Sequence, residues 1–288
     1  MARYFILAAA FAFAPLAAHA QGEAITIKIK KLMVGEKAKE TKLATEIVNV
    51  NGMAMGQVIK EEQKKVVDAV FTDEVLEVAE GAKKPTKFTR SYEKAQVTIK
   101  GETKKISVEG KTVLIVRGDA KNTYTIDGKP VEMDAEQFLN SEFTGKKDDD
   151  SFQMILPTEA IKPGDTWKID MAQVAKSFGD NMTVDVEKSK GIGKLVKAYK
   201  KGAATYGQFE VNIDLAVTKF GAGAQAFPVK PGTTIAIQFT MDGCLDGTDE
   251  TGKSTMTMKG KVDAAIPMVE ITVDLDMKME GTREQLRK

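Results

Sequence analysis

The sequence lacks most of the residues on which catalytic and metal sites depend. Its 288 residues include one histidine, His19, and one cysteine, Cys244. His19 lies in an N-terminal segment that we expect to be removed, so the mature chain would contain no histidine. This excludes Ser-His-Asp and Cys-His catalysis and histidine-ligated zinc or iron sites. A single cysteine also excludes an intramolecular disulfide and a thiolate metal site.

An excess of charge of either sign is also missing from the sequence. Residues 1–20 contain Arg3 and no acidic residue, which leaves 41 basic and 41 acidic groups in the expected mature chain. A net charge of zero argues against a nucleic-acid-binding protein and against a polybasic membrane-surface protein. Few side chains could bind a phosphate through a forked guanidinium group, because only four arginines remain beside 37 lysines: Arg90, Arg117, Arg283 and Arg287.

Long apolar runs are absent apart from residues 5–14, which fall short of the about 20 residues that a membrane-spanning helix needs. This run follows Arg3 and precedes Ala18-His19-Ala20, a small-x-small cleavage pattern. We therefore predict a signal peptide over residues 1–20, cleaved after Ala20. The mature protein would begin at Gln21, contain no transmembrane segment and be exported, either to the periplasm or out of the cell.

The rest of the sequence alternates between apolar and polar residues with a period of two. The longest example runs from Val269 to Glu280, with apolar side chains at the odd positions. Such alternation indicates strands with one buried and one wet face, which favours antiparallel sheet. We predict a mainly antiparallel all-β fold (a curved sheet, a sandwich or a partly open barrel) with two or three short helices. Residues 21–288 would form a single domain, or two related halves that meet near residues 130–160.

Individual elements follow from the same pattern and from turn chemistry. Strands are predicted at 25–29, 43–49, 86–100, 105–117, 122–127, 183–199, 209–217, 235–241, 256–264 and 269–280. Residues 58–80 fit either a helix or a strand, and we favour a strand. Asp134 is expected to cap a helix that runs to Phe143, and Asp170 a helix that Gly179 ends.

Several dipeptides predict turns between these strands: Asp127-Gly128, Asp242-Gly243, Asp246-Gly247, Pro163-Gly164 and Pro231-Gly232. Lys200-Lys201-Gly202 is typical of a hairpin tip. The two Pro-Gly turns belong to an internal echo, in which residues 161–169 match residues 229–237. Duplication and chance similarity between turns both explain this echo, and we slightly favour chance.

The turn motifs also carry a resemblance. Leu156-Pro157, the run from Lys162 to Trp167, the run from Asp242 to Gly247, Arg90-Ser91-Tyr92 and Gly110 to Val113 together resemble an uncharacterised family of exported bacterial proteins. The resemblance covers most of the mature chain. It implies a β-rich envelope protein with no established activity, so it assigns no functional residue.

Methionine is the least ordinary component, because it occurs in three Met-x-Met pairs: Met53/Met55, Met256/Met258 and Met277/Met279. Soft thioethers suit Cu(I), whereas methionine in a strand face commonly fills irregular core space. Since five of these positions continue or flank apolar strand faces, we favour packing. We expect the protein to bind neither zinc nor copper tightly.

Other candidate sites have a plainer interpretation. The acidic stretches Asp148–Asp150 and Asp242–Glu250 could hold Ca²⁺, but neither has EF-hand spacing and a solvated acidic loop is favoured. Gly191-Ile192-Gly193 lacks the third glycine of a dinucleotide-binding loop. Cys244 is expected to be a small buried hydrophobe in a strand.

These observations predict an exported, non-catalytic β-rich envelope protein with a binding or structural role. The alternative is a carrier for a lipid or other hydrophobic ligand, held in a cavity lined by Met, Ile and Val. An enzyme is disfavoured, because histidine is missing and arginine and aromatics are scarce. The expected partner is a protein or a hydrophobic small molecule of unknown identity, and no catalytic residue, cofactor or metal ligand is predicted.

Overall fold

The alternating segments pair into one antiparallel sheet in the computed structural model. The structure describes residues 23–54, 57–80, 82, 84–118, 121–143, 152–178, 182–221, 226–266 and 269–286. The predicted signal peptide, Met55, Asp148–Asp150 and Gly179 lie outside these residues.

Fourteen strands make up the sheet within the described ranges: β1 (Lys37–Ala54), β2 (Gln57–Glu77), β3 (Lys87–Ile99), β4 (Glu102–Lys105), β5 (Thr112–Val116), β6 (Thr123–Ile126), β7 (Lys129–Pro130), β8 (Thr166–Lys168), β9 (Met182–Lys201), β10 (Ala204–Phe220), β11 (Phe227–Pro228), β12 (Thr234–Cys244), β13 (Gly252–Asp263) and β14 (Val269–Leu286). Two helices, α1 (Met133–Glu142) and α2 (Met171–Ser177), and a 3₁₀ turn (Gln153–Ile155) complete the fold. The prediction of a mainly antiparallel β protein with two or three short helices is confirmed.

The strand order is β7-β6-β5-β3-β2-β1-β14-β13-β12-β10-β9-β8, with β4 beside β3 and β11 beside β10. Residues directly opposite each other in antiparallel strands point to the same side of a sheet. The register therefore defines one continuous face, here named the core face. One row of it crosses seven strands through Phe209, Met241, Ser254, Gly281, Lys42, Ala69 and Ala95.

Two separate hydrophobic clusters are built on this core face. The C-lobe cluster joins β9 to β14 with α2 and the 3₁₀ turn, and centres on Phe209, Leu215 and Ile235. The N-lobe cluster joins β2, β3, β5 and β6 with α1, and centres on Phe71, Ile115 and Leu139. The long strands β1 and β14 pair along Lys37–Ala54 and connect the two clusters.

Most predicted elements are present with small shifts at their ends, and of residues 58–80 the stretch 58–77 lies in strand β2, as favoured, while 78–80 follow it. Both Pro-Gly pairs form turns with positive φ at Gly164 and Gly232, each closed by a backbone hydrogen bond across the turn. Asp127 and Gly128 both have positive φ, as a two-residue hairpin turn requires. Asp170 caps α2 as predicted, accepting hydrogen bonds from the backbone N–H groups of Ala172 and Gln173.

Four local predictions are wrong. Residues 25–29 form only an isolated bridge at Ile25 rather than a strand, and residues 106–111 lie between strands instead of within one. Asp242-Gly243 continues β12, since Gly243 lies opposite Gly252 and a Cβ there would meet Met241 at 2.8 Å. The N-cap of α1 is Glu132, because the Asp134 carboxylate instead accepts hydrogen bonds from Ser107.

Among the described residues, no helix has both the length and the apolar content to span a membrane.

Candidate functional site

A groove of about 960 Å³ lies between the N-terminal segment and two loops, at residues 78–82 and 153–158. Its volume falls in the range of about 300–1,000 Å³ that is typical of small-molecule sites. More of its lining is apolar than polar. The apolar lining includes Ile27, Ile29, Met33, Val34, Val78 and Leu156.

The N-terminal segment, defined here as residues 25–36, is fixed at both ends. Ile25 exchanges two backbone hydrogen bonds with Ile161, and the Lys28 N–H donates to the Leu245 carbonyl at 2.8 Å. At the other end, Val75 donates to the Glu36 carbonyl and its own carbonyl accepts from the N–H of Gly35. The segment therefore crosses from the C-lobe to the N-lobe side as an anchored wall of the groove.

Three large apolar side chains of this segment face water. Ile29 is 41% exposed, Met33 59% and Val34 64%. Single exposed apolar residues are common on protein surfaces, whereas several that line one groove mark a site for an apolar partner. These three side chains make the rim of the groove apolar.

Lysine side chains surround the apolar lining. Lys28 and Lys31 are exposed, and neither forms an ion pair within the described part of the chain. Lys30 is different, since its Nζ contacts the Glu36 carboxylate at 2.6 Å and only 8% of its side chain is exposed. Glu80 also lines the groove and offsets one of these charges. Lys28 and Lys31 together therefore still leave a surplus of positive charge there.

The opposite wall of the groove is anchored to the C-lobe cluster. The indole Nε1 of Trp167 donates to the carbonyl of Ile155 at 2.8 Å, which fixes the 3₁₀ turn. Phe152, just before that turn, packs its ring against Phe209 and Phe239 with centroid distances of 6.1 and 5.9 Å. The N-terminal segment and the 3₁₀ turn, on opposite sides of the groove, are thus both held in place.

The acidic stretch 242–250 begins at the end of β12 and continues as a hydrogen-bonded loop from Leu245 onward. Asp246 accepts hydrogen bonds from the backbone N–H groups of Thr248 and Thr205, and Asp249 accepts from the hydroxyl groups of Tyr206 and Thr251. Burial raises the pKa of Asp246, but the hydrogen bonds from Thr248, Thr205 and Cys244 outweigh it and leave the pKa well below its usual range. The carboxylate oxygens that Ca²⁺ would need are already engaged in fixing the loop.

The remaining candidates fall into structural roles. Cys244 is buried near the end of β12, as predicted, and its Sγ lies 3.2 Å from the Asp246 carboxylate. In β9, a Cβ on Gly193 would lie 2.1 Å from the Trp167 ring, so this glycine makes room for the indole. No group of three or more His, Cys, Asp or Glu residues that could hold a metal ion occurs in the described ranges.

The Met-x-Met pairs lie on different sides of the sheet. Met256 lies opposite Met279 and Met258 opposite Met277, so two of the pairs meet on the core face. Met53 lies on the other side of β1 and is 46% exposed. Its partner Met55 lies outside the described residues.

The groove was missed in the sequence because its main wall looks like a strand. Ile25, Ile27 and Ile29 alternate as strand residues do, yet residues 26–34 pair with no neighbouring strand. The signal available was the density of lysine at Lys28, Lys30 and Lys31 within an apolar stretch. That pattern indicates an amphipathic wall as readily as an edge strand.

No protein-family model matches the chain, and no curated protein matches it, so the resemblance to exported bacterial proteins stays a prediction. Among solved structures, lipovitellin, described for its lipid–protein interactions, is similar with a TM-score of 0.35 and 6% identity; the match covers 89% of this chain and 26% of lipovitellin. An outer membrane channel from Pseudomonas putida F1 is similar with a TM-score of 0.22 and 10% identity, over 90% of this chain and 98% of the channel. With TM-scores this low, neither likeness bears on function.

Proposed function

We propose that this protein is a non-catalytic, exported protein of the bacterial envelope that carries an amphipathic small molecule in the groove beside the N-terminal segment. The observation that supports this most directly is the groove itself, which is anchored on both sides and exposes Ile29, Met33 and Val34. The sequence alone ranks a fully packed envelope protein above a carrier. The groove reverses that order.

The chemistry of the lining favours a ligand with an apolar chain and an acidic head. Apolar walls gain free energy by removing acyl carbons from water, at about 0.8 kcal/mol per buried CH₂. Lys28 and Lys31 are exposed beside these walls, so a carboxylate or phosphate head would meet positive charge. A long-chain fatty acid is the simplest molecule with both features.

The test starts with the protein as it is exported. Solvent extraction of natively purified protein, followed by mass spectrometry, should recover a stoichiometric acidic amphiphile. The stripped protein should then bind a fluorescent long-chain fatty acid saturably at one site. A clean extract together with no saturable binding would refute the carrier proposal and leave a role in protein contacts.

Variants locate the site. Met33→Glu and Val34→Glu should abolish saturable binding without unfolding the protein, because both side chains already face water. Val58→Glu is the matched control, since Val58 is 81% exposed and pairs with Met53 near the far end of β1. Equal losses of binding in Val58→Glu and in the groove variants would show that the fluorescent fatty acid binds elsewhere on the protein.

Charge reversal tests the head group separately. Lys28→Glu with Lys31→Glu should weaken fatty-acid binding by about tenfold, because two favourable charges become unfavourable. Binding of the corresponding fatty alcohol should change little. An equal loss for acid and alcohol would contradict a role for the lysines in recognising charge.

A further inference from the structure

Four methionines from two consecutive strands meet on the core face. The antiparallel register of β13 and β14 places Met256 opposite Met279 and Met258 opposite Met277. Directly opposite residues have Cβ atoms about 5 Å apart, and residues two apart on one strand lie about 7 Å apart. The four side chains, here named the methionine patch, therefore leave the sheet from the corners of one small rectangle.

Each thioether sulfur lies two bonds beyond its Cβ on a flexible, unbranched chain. Four such chains on one side of a rectangle of this size can bring their sulfur atoms together over its centre. Ala44, opposite Met279 on β1, leaves space beside the patch, whereas Ile237 and Phe239 on β12 border its other side with larger side chains. The register therefore allows the convergence of ligands that a metal site requires.

The methionine patch lies outside the fully buried part of the core. All four methionines are half-buried. Met256 and Met258 pack against the edge of the C-lobe cluster, and Met277 and Met279 follow on the next strand toward the N-lobe. The four side chains are thus anchored on the sheet and partly exposed to solvent.

One feature of the surroundings favours a cation. Phe239 lies opposite Met256 on β12, and an aromatic ring beside the patch favours positive charge. Glu46 lies opposite Met277 on β1, but Lys65 lies opposite Glu46 on β2, so this carboxylate adds no net negative charge. Thioether ligands without histidine or thiolate select a soft, singly charged ion over zinc.

We propose that the methionine patch is a binding site for one Cu(I) ion, coordinated by the thioether sulfurs of Met256, Met258, Met277 and Met279. The sequence alone favours packing over ligation for these methionines. The register of β13 and β14, which brings the four together, is the reason to propose ligation. This proposal is independent of the groove, which contains none of the four residues.

The experiment titrates the purified protein with Cu(I) under anaerobic, reducing conditions against a chromogenic Cu(I) chelator, with Ag(I) as a redox-stable check. One equivalent should be withheld from the chelator, and the methyl NMR signals of the four methionines should shift on Ag(I) binding. Met258→Leu and Met277→Leu should each weaken binding by about tenfold or more, since even changes outside the ligand shell commonly cost that much. The fourfold Leu variant should bind no Cu(I).

Leucine keeps the apolar volume, so these variants should fold and retain fatty-acid binding in the groove. Met53→Leu, on the other side of β1, is the matched control and should bind Cu(I) like the wild type. Cys244→Ser should also retain the ion, which excludes the buried thiol as its ligand. Failure to compete with the chelator, or equal losses in Met53→Leu and Met258→Leu, would overturn the proposal.

Discussion

The two hydrophobic clusters are built on the same face of one sheet, yet they are held together by different interactions. Within the described residues, the buried part of the C-lobe cluster comprises nineteen residues, of which Phe209 is aromatic, and six partly buried aromatic residues pack against this mainly aliphatic interior. The N-lobe cluster has thirteen, and five of them are aromatic: Phe71, Phe88, Tyr92, Tyr124 and Phe138. It is also the cluster into which a charged network is buried.

Arg90 is the centre of that network. Its guanidinium donates to both oxygens of Asp73 at 2.7 and 2.8 Å and to Glu142 at 3.0 Å. It also lies 3.5 Å from the centroid of the Phe71 ring. Tyr92 donates to the same Glu142 oxygen at 2.8 Å, and burial followed by the charge of Glu142 raises the pKa of Tyr92, so its hydroxyl stays protonated.

The position of Glu142 explains why the network is needed. Glu142 ends α1, where the helix dipole is negative and a carboxylate is unfavourable. Arg90 from β3 and Lys42 from β1 supply the missing positive charge. The smaller cluster therefore obtains its orientation from directed hydrogen bonds, whereas the larger one relies on buried volume.

The largest expected effect is the loss of Arg90. Arg90→Ala would leave Asp73 buried without its partner and Glu142 with only Lys42 and Tyr92, and removing one partner of a buried ion pair typically destabilises a protein by about 3–5 kcal/mol. Urea denaturation followed by circular dichroism measures the free energy of unfolding. Lys94→Ala is the control, because its partner Asp68 is 40% exposed and such pairs contribute about 0–1 kcal/mol. Equal effects of the two changes would mean that the buried network does not hold the N-lobe cluster together.

The C-lobe cluster should instead be sensitive to added volume. Gly193→Ala would place a Cβ 2.1 Å from the Trp167 ring, and we expect a loss of about 1–3 kcal/mol from overpacking. Gly281→Ala in β14 is the matched control, since its Cβ would meet only ordinary contacts at 3.5 Å. Denaturation of both variants, with tryptophan fluorescence reporting on Trp167, provides the measurement. A neutral Gly193→Ala would show that the indole can shift at little cost.

Strand positions could be predicted from the sequence, because alternation is a local property that the residues of one strand show by themselves. Pairing between distant strands could not. Nothing near Lys37 indicates that it lies opposite Leu286. Even for the consecutive strands β13 and β14, alternation does not give the register that brings Met258 to Met277. The groove was equally hidden, because the alternating residues Ile27 and Ile29 line it and do not pair with a strand.

The N-lobe network should also make stability depend on pH. Burial raises the pKa of Glu142, but Lys42 and Arg90 outweigh it, so the pKa in the folded protein lies below its ordinary value. Glu142 therefore contributes stability above its unfolded pKa of about 4.3, and this contribution is lost as the pH falls toward the folded pKa. In Glu142→Gln, the dependence of Tm on pH below about 4.3 should be shallower than in the wild type. The exposed Glu136→Gln in the same helix serves as the control, and a parallel shift of both curves would contradict the assignment.

The smallest effect concerns how the helix of each cluster begins. Asp170 caps α2 by accepting hydrogen bonds from the N–H groups of Ala172 and Gln173 at 2.9 and 3.3 Å, whereas the N-cap of α1, Glu132, makes no side-chain hydrogen bond there. Asp170→Ala should lower the Tm by about 2–4 °C, and Asp170→Asn, which keeps the acceptor, by less. Glu132→Ala should leave the Tm unchanged, because α1 is held at its other end by Arg90 and Lys42. Thermal unfolding followed by circular dichroism separates the cases, and a loss in Glu132→Ala as large as that in Asp170→Ala would show that both helices depend on their first residue.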